Sequence, residues 1–368
     1  MKIGIVLRTC KNTGSSKYIV ETSEYFVKNN ELHIFTNDWD PLDVRIIIHK
    51  IPTFSSNFYA LEASFMVIST LVTKFYKFDI TLAQPTRYFS PSIVEMQFFH
   101  KTWNNYRDKN HIPVSIGDRC LPLIEKYHIR RAKQVIAISE SIKNDILHHC
   151  HIPEDRISVI YNGVNTKDFT PENRLKYFDK IRERHNITKD EIVLVFAGNP
   201  FVRKGLRYAI EALSKLKIKN YKLLIIGQDD PNKQLYVNLI HKLNLDDKVI
   251  WIGITPEINK YFAASDIFVL PTIYDPFGIV IVEAMASGLP VVTSKLAGAA
   301  ELISHGEDGL HIKNPKDSDE IAENLNYLIQ SDSTRKKIGK EARKKAKNYT
   351  WERTAKQMLE VFEKVAKS

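Results

Sequence analysis

The sequence predicts an α/β chain made of two doubly wound parallel-sheet domains. Short β-branched runs alternate with helical apolar patterns, as expected for parallel strands covered on both faces. That alternation breaks at the turn-rich stretch Tyr161-Asn162-Gly163-Val164-Asn165 and starts afresh at Ile192. The chain has 368 residues, too many for one ordinary core, so two domains of roughly 150 to 200 residues are expected.

In chain order, the first strand is expected over Lys2–Leu7, followed by the small-residue loop Arg8–Ser16 and a helix from about Lys17. Further strands are expected at Leu32–Thr36, Arg45–Ile48, Ile80–Ala83, Ile93–Phe99, Gln134–Ile138 and Ile157–Ile160. The longest apolar run, Phe65–Val72, is far short of the roughly 20 residues that span a bilayer and reads as a core helix. After the break comes a polar helix ending near His185, then strands at Ile192–Ala197, Lys222–Ile226, Val249–Ile252, Ile267–Leu270 and Pro290–Thr293. Residues 335–347, RKKIGKEARKKAK, place Ile338, Ala342 and Ala346 at helical spacing, so their cations form the wet face of an amphipathic helix. The last helix carries Trp351, Ala355, Met358, Leu359 and Phe362 on one stripe. The domain boundary is set at 165/166.

Composition excludes several classes. Hydrophobic residues make up 43% and charged residues 26% of the chain, a globular balance. The three cysteines are odd in number and have no CxxC spacing, so neither a disulfide framework nor a zinc site is indicated, and a reducing cytoplasm is expected. The start, MKIGIVL, reads as a buried strand and not as a signal peptide. A net charge of +10 calls for acidic partners. No nucleic-acid motif accompanies it. The basic segment Lys101–Lys143, with Trp103 and Tyr106, admits a peripheral contact with an anionic membrane.

The most informative stretch is Tyr274–Ser294, YDPFGIVIVEAMASGLPVVTS. Gly278 stands at an expected helix start, whose first N–H groups lack partners within the helix and attract a phosphate. Glu283 lies one turn in, on the face of Ile279, where it suits a neutral hydroxyl-bearing group. The second candidate, Gly198–Gly205 (GNPFVRKG), follows a strand and precedes a helix, so Arg203 and Lys204 are placed to neutralise a diphosphate. It is not a P-loop, because GxxxxGK[ST] is absent throughout. The loop holding Gly14 and Ser15 lets backbone approach a ligand, although a plain strand-to-helix turn explains it as well. His100, at the end of an apolar run, is placed either to hydrogen-bond a ligand or to cap the strand. Asp38-Trp39-Asp40 looks like a metal-holding DxD, but turn chemistry beside Pro41 explains it better.

Together these residues resemble the retaining glycosyltransferases of family 4, the group 1 type. The match is carried by Asp275 through Ser294 for the family's E-x7-E segment, by Arg203-Lys204-Gly205, by Ile138-Ser139-Glu140 with Ile160–Asn165, and by Gly298–Ile303 followed by Gly306–Gly309. The resemblance implies a GT-B fold: two Rossmann-like domains facing a cleft, with the last helix, 351–368, returning to the N-terminal domain. It implies a nucleoside-diphosphate sugar, commonly a UDP-sugar, as donor, while the basic and aromatic residues of Lys101–Lys109 favour a cell-envelope glycan or lipid-linked acceptor at the inner face of the cell membrane. Transfer with retained configuration is implied, without a metal or other cofactor. Arg203 and Lys204 would hold the phosphates, with Gly278 and the backbone at Ile279 and Val280. Glu283 would hold the ribose, and His100 would lie near the transferred sugar. Asp275, Lys204 and His100 are the expected catalytic residues, with Gly14 and Ser15 as the acceptor-side loop. Two departures stand out: Asp275 replaces a Glu, and Gly14-Ser15 replaces a Gly-Gly pair. The competing readings are a GT-B nucleotide-sugar epimerase or hydrolase, and a catalytically silent nucleotide-sugar-binding protein.

Overall fold

In the computed structural model, the described residues are 1–11, 14–54, 57–228 and 233–368. Contacts divide the chain into unit 1, residues 1–163 with 351–368, and unit 2, residues 164–350.

Unit 1 contains β1 (Lys2–Val6), β2 (Thr9–Cys10), β3 (Glu31–Thr36), β4 (Asp38–Trp39), β5 (Ile47–Lys50), β6 (Ile80–Ala83), β7 (Ile93–Met96), β8 (Gln134–Ala137) and β9 (Ile157–Val159). Its main sheet runs β5-β3-β1-β6-β7-β8-β9, with every pair parallel. Strands 1, 6 and 7 are nearly all apolar and buried, because helices cover both faces of such a sheet. The helix Trp351–Ala366 closes the unit by packing on the helix Lys17–Phe26, with the rings of Phe26 and Phe362 5.4 Å apart.

Unit 2 contains β10 (Ile192–Ala197), β11 (Tyr221–Ile226), β12 (Val249–Gly253), β13 (Ile267–Leu270), β14 (Val291–Ser294) and β15 (Leu310–Ile312). Their order is β12-β11-β10-β13-β14-β15, again all parallel. In both sheets the chain works outward from the first strand, then crosses to its other side. The switch points therefore lie between β1 and β6 and between β10 and β13, and the carboxyl ends of such strands are where doubly wound sheets bind ligands.

The structure corrects four sequence expectations. The run Ile93–Phe99 is a strand only as far as Met96, its last pairing partner being Ala137, and His100 opens a helix over His100–Lys109. Asp38-Trp39 is not a turn: it pairs with Thr9-Cys10, and Asn37 N donating to Arg8 O at 3.0 Å carries the β1–β3 ladder onward. The strand expected over Arg45–Ile48 lies two residues later, at Ile47–Lys50. The apolar run Phe65–Val72 belongs to a helix, Phe58–Thr73, that buries Phe65 but leaves Val67 44% and Leu71 55% exposed. A run that is apolar on every side carries no periodicity to say which face turns inward. Among the described residues, no helix is long and apolar enough to cross a membrane.

Candidate functional site

The strongest cluster is built on unit 2's switch point. From the carboxyl end of β10, residues 198–200 lead into a single helical turn, Phe201–Lys204, which presents Arg203 and Lys204. Gly205 then reverses the backbone at φ +76°, where a Cβ would meet the carbonyl oxygen of Pro271 at 1.9 Å. The chain leaving β13 returns against this turn. The Arg203 carbonyl accepts from Ile273 N at 2.9 Å and Thr272 Oγ1 at 3.0 Å, and the Arg203 guanidinium donates to Tyr274 O at 2.9 Å. The two strand ends are thereby locked together.

This return brings Asp275 to the two cations. Lys204 Nζ donates to Asp275 Oδ2, and Arg203 Nη1 lies 3.8 Å from Oδ1. Lys204 and Asp275 are both buried, and burial is the leading cause that pulls the lysine below its ordinary pKa, with Arg203 pushing the same way and Asp275 opposing both. Two cations on one carboxylate leave the cluster with a net charge of +1, so it can take up an anion.

The helix Ile279–Ala286 starts beside this cluster. Its N-cap, Gly278, has φ +90°, and a Cβ there would sit 2.9 Å from Asp275 Oδ2. Glycine therefore lets the carboxylate lie against the helix entry. Ile279 and Val280 are half-buried on the first turn, and Glu283 is buried one turn in, its carbonyl accepting from Ser287 Oγ at 2.9 Å. Asp275, whose part the sequence left open, is the counter-ion of Lys204.

Two expected residues belong to unit 1. His100 stands at the first position of its helix, with Nδ1 2.5 Å from Glu125 Oε1 and its backbone N donating to Oε2 at 3.1 Å. Glu125 is buried and fixes the imidazole orientation, but sequence reading missed it. Its signal was a lone acid on the buried face formed by Leu121, His128 and Ile129. Gly14 starts a short helical turn, Gly14–Ser16, with φ +55°, and Ser16 Oγ donates to Lys11 O at 2.9 Å. The Ser15 side chain lies outside the described residues. Asp38 is ion-paired with Lys11 at 2.5 Å. Among the described residues, no group of three or more His, Cys, Asp or Glu is gathered as metal ligands.

Residues 178–345 match the family model described as "Glycosyl transferases group 1", and residues 12–168 match "Glycosyltransferase Family 4". The chain belongs to the group 1 glycosyltransferases of family 4. Among family relatives, an uncharacterised glycosyltransferase of Methanocaldococcus jannaschii is 35% identical over 235 residues, which are 62% of this chain and 59% of the relative. The chain thus spans less than two thirds of that relative's length. Two solved structures share the fold. WaaG, a glycosyltransferase involved in lipopolysaccharide biosynthesis, superposes with a TM-score of 0.83 at 19% identity, covering 98% of this chain and 99% of its own. HepE of Anabaena, in complex with UDP and glucose, gives 0.76 at 20% identity, covering 99% of this chain and all of its own (100%). Both units are Rossmann-like, as in the GT-B fold of the family.

Proposed function

We propose that this protein transfers a sugar from a UDP-sugar to a hydroxyl of a glycan or lipid-linked acceptor, with retained anomeric configuration and without a metal ion. The observation that carries the reading is the cluster Arg203, Lys204 and Asp275 set against the Gly278 helix entry, one turn from the buried Glu283. Uridine as the base follows the ligand of HepE.

In this reading the diphosphate adds to the Lys204–Asp275 pair, with Arg203 and the first N–H groups of Ile279–Ala286 as further donors, and Glu283 accepts from the ribose hydroxyls. The C1–O bond to the diphosphate breaks with its electron pair on the departing oxygen. A bond forms from the acceptor hydroxyl oxygen to C1, and the hydroxyl proton passes to the departing diphosphate oxygen. The cations and the helix terminus are in place before charge develops, which is how preorganised groups lower a barrier.

The test is product analysis by NMR with UDP-sugars and mixed acceptors. A glycoside with the donor's anomeric configuration, formed in the presence of a chelator, is the expected product. Lys204→Ala should lower turnover by about 100- to 1,000-fold, the cost of one transition-state contact. UDP-sugar cleaved equally fast with and without acceptor would instead mark a hydrolase.

A membrane-facing acceptor is favoured by one surface of unit 1. The helix Ile116–Arg131 exposes Ile116 (84%), Leu123 (70%) and Tyr127 (48%) along one stripe, bordered by the exposed Arg119, Arg130 and Arg131. Apolar residues flanked by cations suit an anionic lipid surface. Sedimentation with vesicles should show binding to phosphatidylglycerol that Leu123→Glu weakens. Equal binding to neutral vesicles would contradict this.

A further inference from the structure

We propose that the acceptor carries an anionic group, a phosphate or a carboxylate, and that Arg8 and Arg87 bind it at the switch point of the unit 1 sheet. This rests on glycosyl transfer as read above and names the class of acceptor.

Arg8 leaves the carboxyl end of β1, and Arg87 lies in the loop that leaves β6, the neighbouring strand across the switch point. Both guanidinia converge on Glu62 of the helix Phe58–Thr73. Arg8 Nε is 2.8 Å from Oε1, and Arg87 Nη1 meets Oε2. The Glu62 side chain is only 6% exposed, whereas those of Arg8 and Arg87 retain 29% and 17%. The carboxylate is therefore sealed inside, while both cations keep an open side.

The charges do not balance. Two guanidinia share one carboxylate, leaving an excess of one positive charge in a half-buried place. The other acids close by do not cancel it. Asp38, which draws on Arg8, is ion-paired with Lys11, and Asp40 draws on Lys11. Glu95, one position beyond the Ala83–Val94 pair, is buried and stays protonated at neutral pH, its pKa raised to about 8 chiefly by burial. Burial, and then the neighbouring Arg8, pull the Arg87 pKa down to about 9.

Unit 2 repeats the arrangement. At its own switch point Arg203 and Lys204, following β10, share Asp275, following β13. There too the cluster is +1 and stands at the carboxyl ends of the two central strands. The same physical reasoning that reads a donor diphosphate into the unit 2 cluster reads an anion into the unit 1 cluster. Arginine in both unit 1 positions favours planar, bidentate recognition of phosphate or carboxylate.

The experiment is calorimetric titration of the full chain carrying Lys204→Ala, which weakens the unit 2 anion site, with inorganic phosphate, malate and neutral inositol in turn. Phosphate or malate is expected to bind saturably, and inositol is not. Adding Arg8→Gln or Arg87→Gln should weaken that binding about tenfold or more, and Arg8→Lys less, because it keeps the charge but loses the fork. Glu62→Gln, which removes the internal competitor, should tighten it in a folded variant, an effect that a merely structural ion cluster would not produce. Circular dichroism checks each variant; Arg8, the more exposed partner, is the substitution expected to leave the fold intact. Absence of saturable anion binding, or binding unchanged in both Arg8→Gln and Arg87→Gln, would overturn the proposal. No donor is present in these titrations, so failure of the glycosyltransferase reading shows separately, as absence of UDP-sugar binding by the unsubstituted chain.

Discussion

Lys204 and Glu95 show how differently two buried ionisable side chains behave at the carboxyl ends of strands. Lys204 keeps a partner, Asp275, and the cost of burying its ammonium is partly offset by that contact. Among the described residues, no cation is paired with Glu95. Tyr18 and Gln97 hydrogen-bond to it, but burial dominates and lifts its pKa from 4.5 to about 8. Between those values the folded chain holds a proton that the unfolded chain has released. Folding stability contributed at this position is therefore full below pH 4.5 and falls as pH rises towards 8, by at most about 1.4 kcal/mol per pH unit. Glu95→Gln, which mimics the protonated acid, should melt higher than the unsubstituted protein by a margin that widens from pH 5 to pH 8. A margin that stays constant across that range would contradict the assignment. Asp275 is the residue whose meaning changed most. One methylene shorter than the family's glutamate, it still reaches Lys204, because the chain leaving β13 is tied to the Arg203 carbonyl.

At the scale of elements, the start of the helix Ile279–Ala286 is the part most sensitive to a single atom. Gly278→Ala would force a side chain into φ +90° and into the Asp275 carboxylate. The backbone cost alone is about 1 to 2 kcal/mol. Donor affinity should fall together with the melting temperature, and calorimetry with UDP-glucose alongside thermal melts checks both. Unit 2's central strands were legible in the sequence because buried parallel strands read as continuous apolar runs: Ile192–Ala197 and Ile267–Leu270 were placed to the residue. The two-residue β2 and β4 and the three-residue β15 escaped, being too short to carry a pattern. The donor cluster was legible in part. Arg203, Lys204, Gly278 and Glu283 lie in local motifs, but the contact between Lys204 and Asp275 spans 71 positions and is a product of strand order. Glu62 and Glu125 are isolated acids on buried helix faces, and only their partners, Arg8, Arg87 and His100, give them meaning.

For the whole molecule, each sheet grows outward from its first strand and reverses beside it, and each has two cations sharing one acid at that reversal. Folding alone would not require the same charge excess twice. An account in which unit 2 takes an anionic donor and unit 1 an anionic acceptor explains both. Its central claim is the donor site, and the most direct measurement is calorimetric titration of UDP-glucose and of uridine into the unsubstituted chain, Lys204→Ala and Glu283→Ala. Each lost charged hydrogen bond should cost about 1.5 to 3 kcal/mol, roughly 10- to 100-fold in affinity. The account predicts that Lys204→Ala weakens UDP-glucose and spares uridine, while Glu283→Ala weakens both. UDP-glucose affinity unchanged in both variants would contradict it.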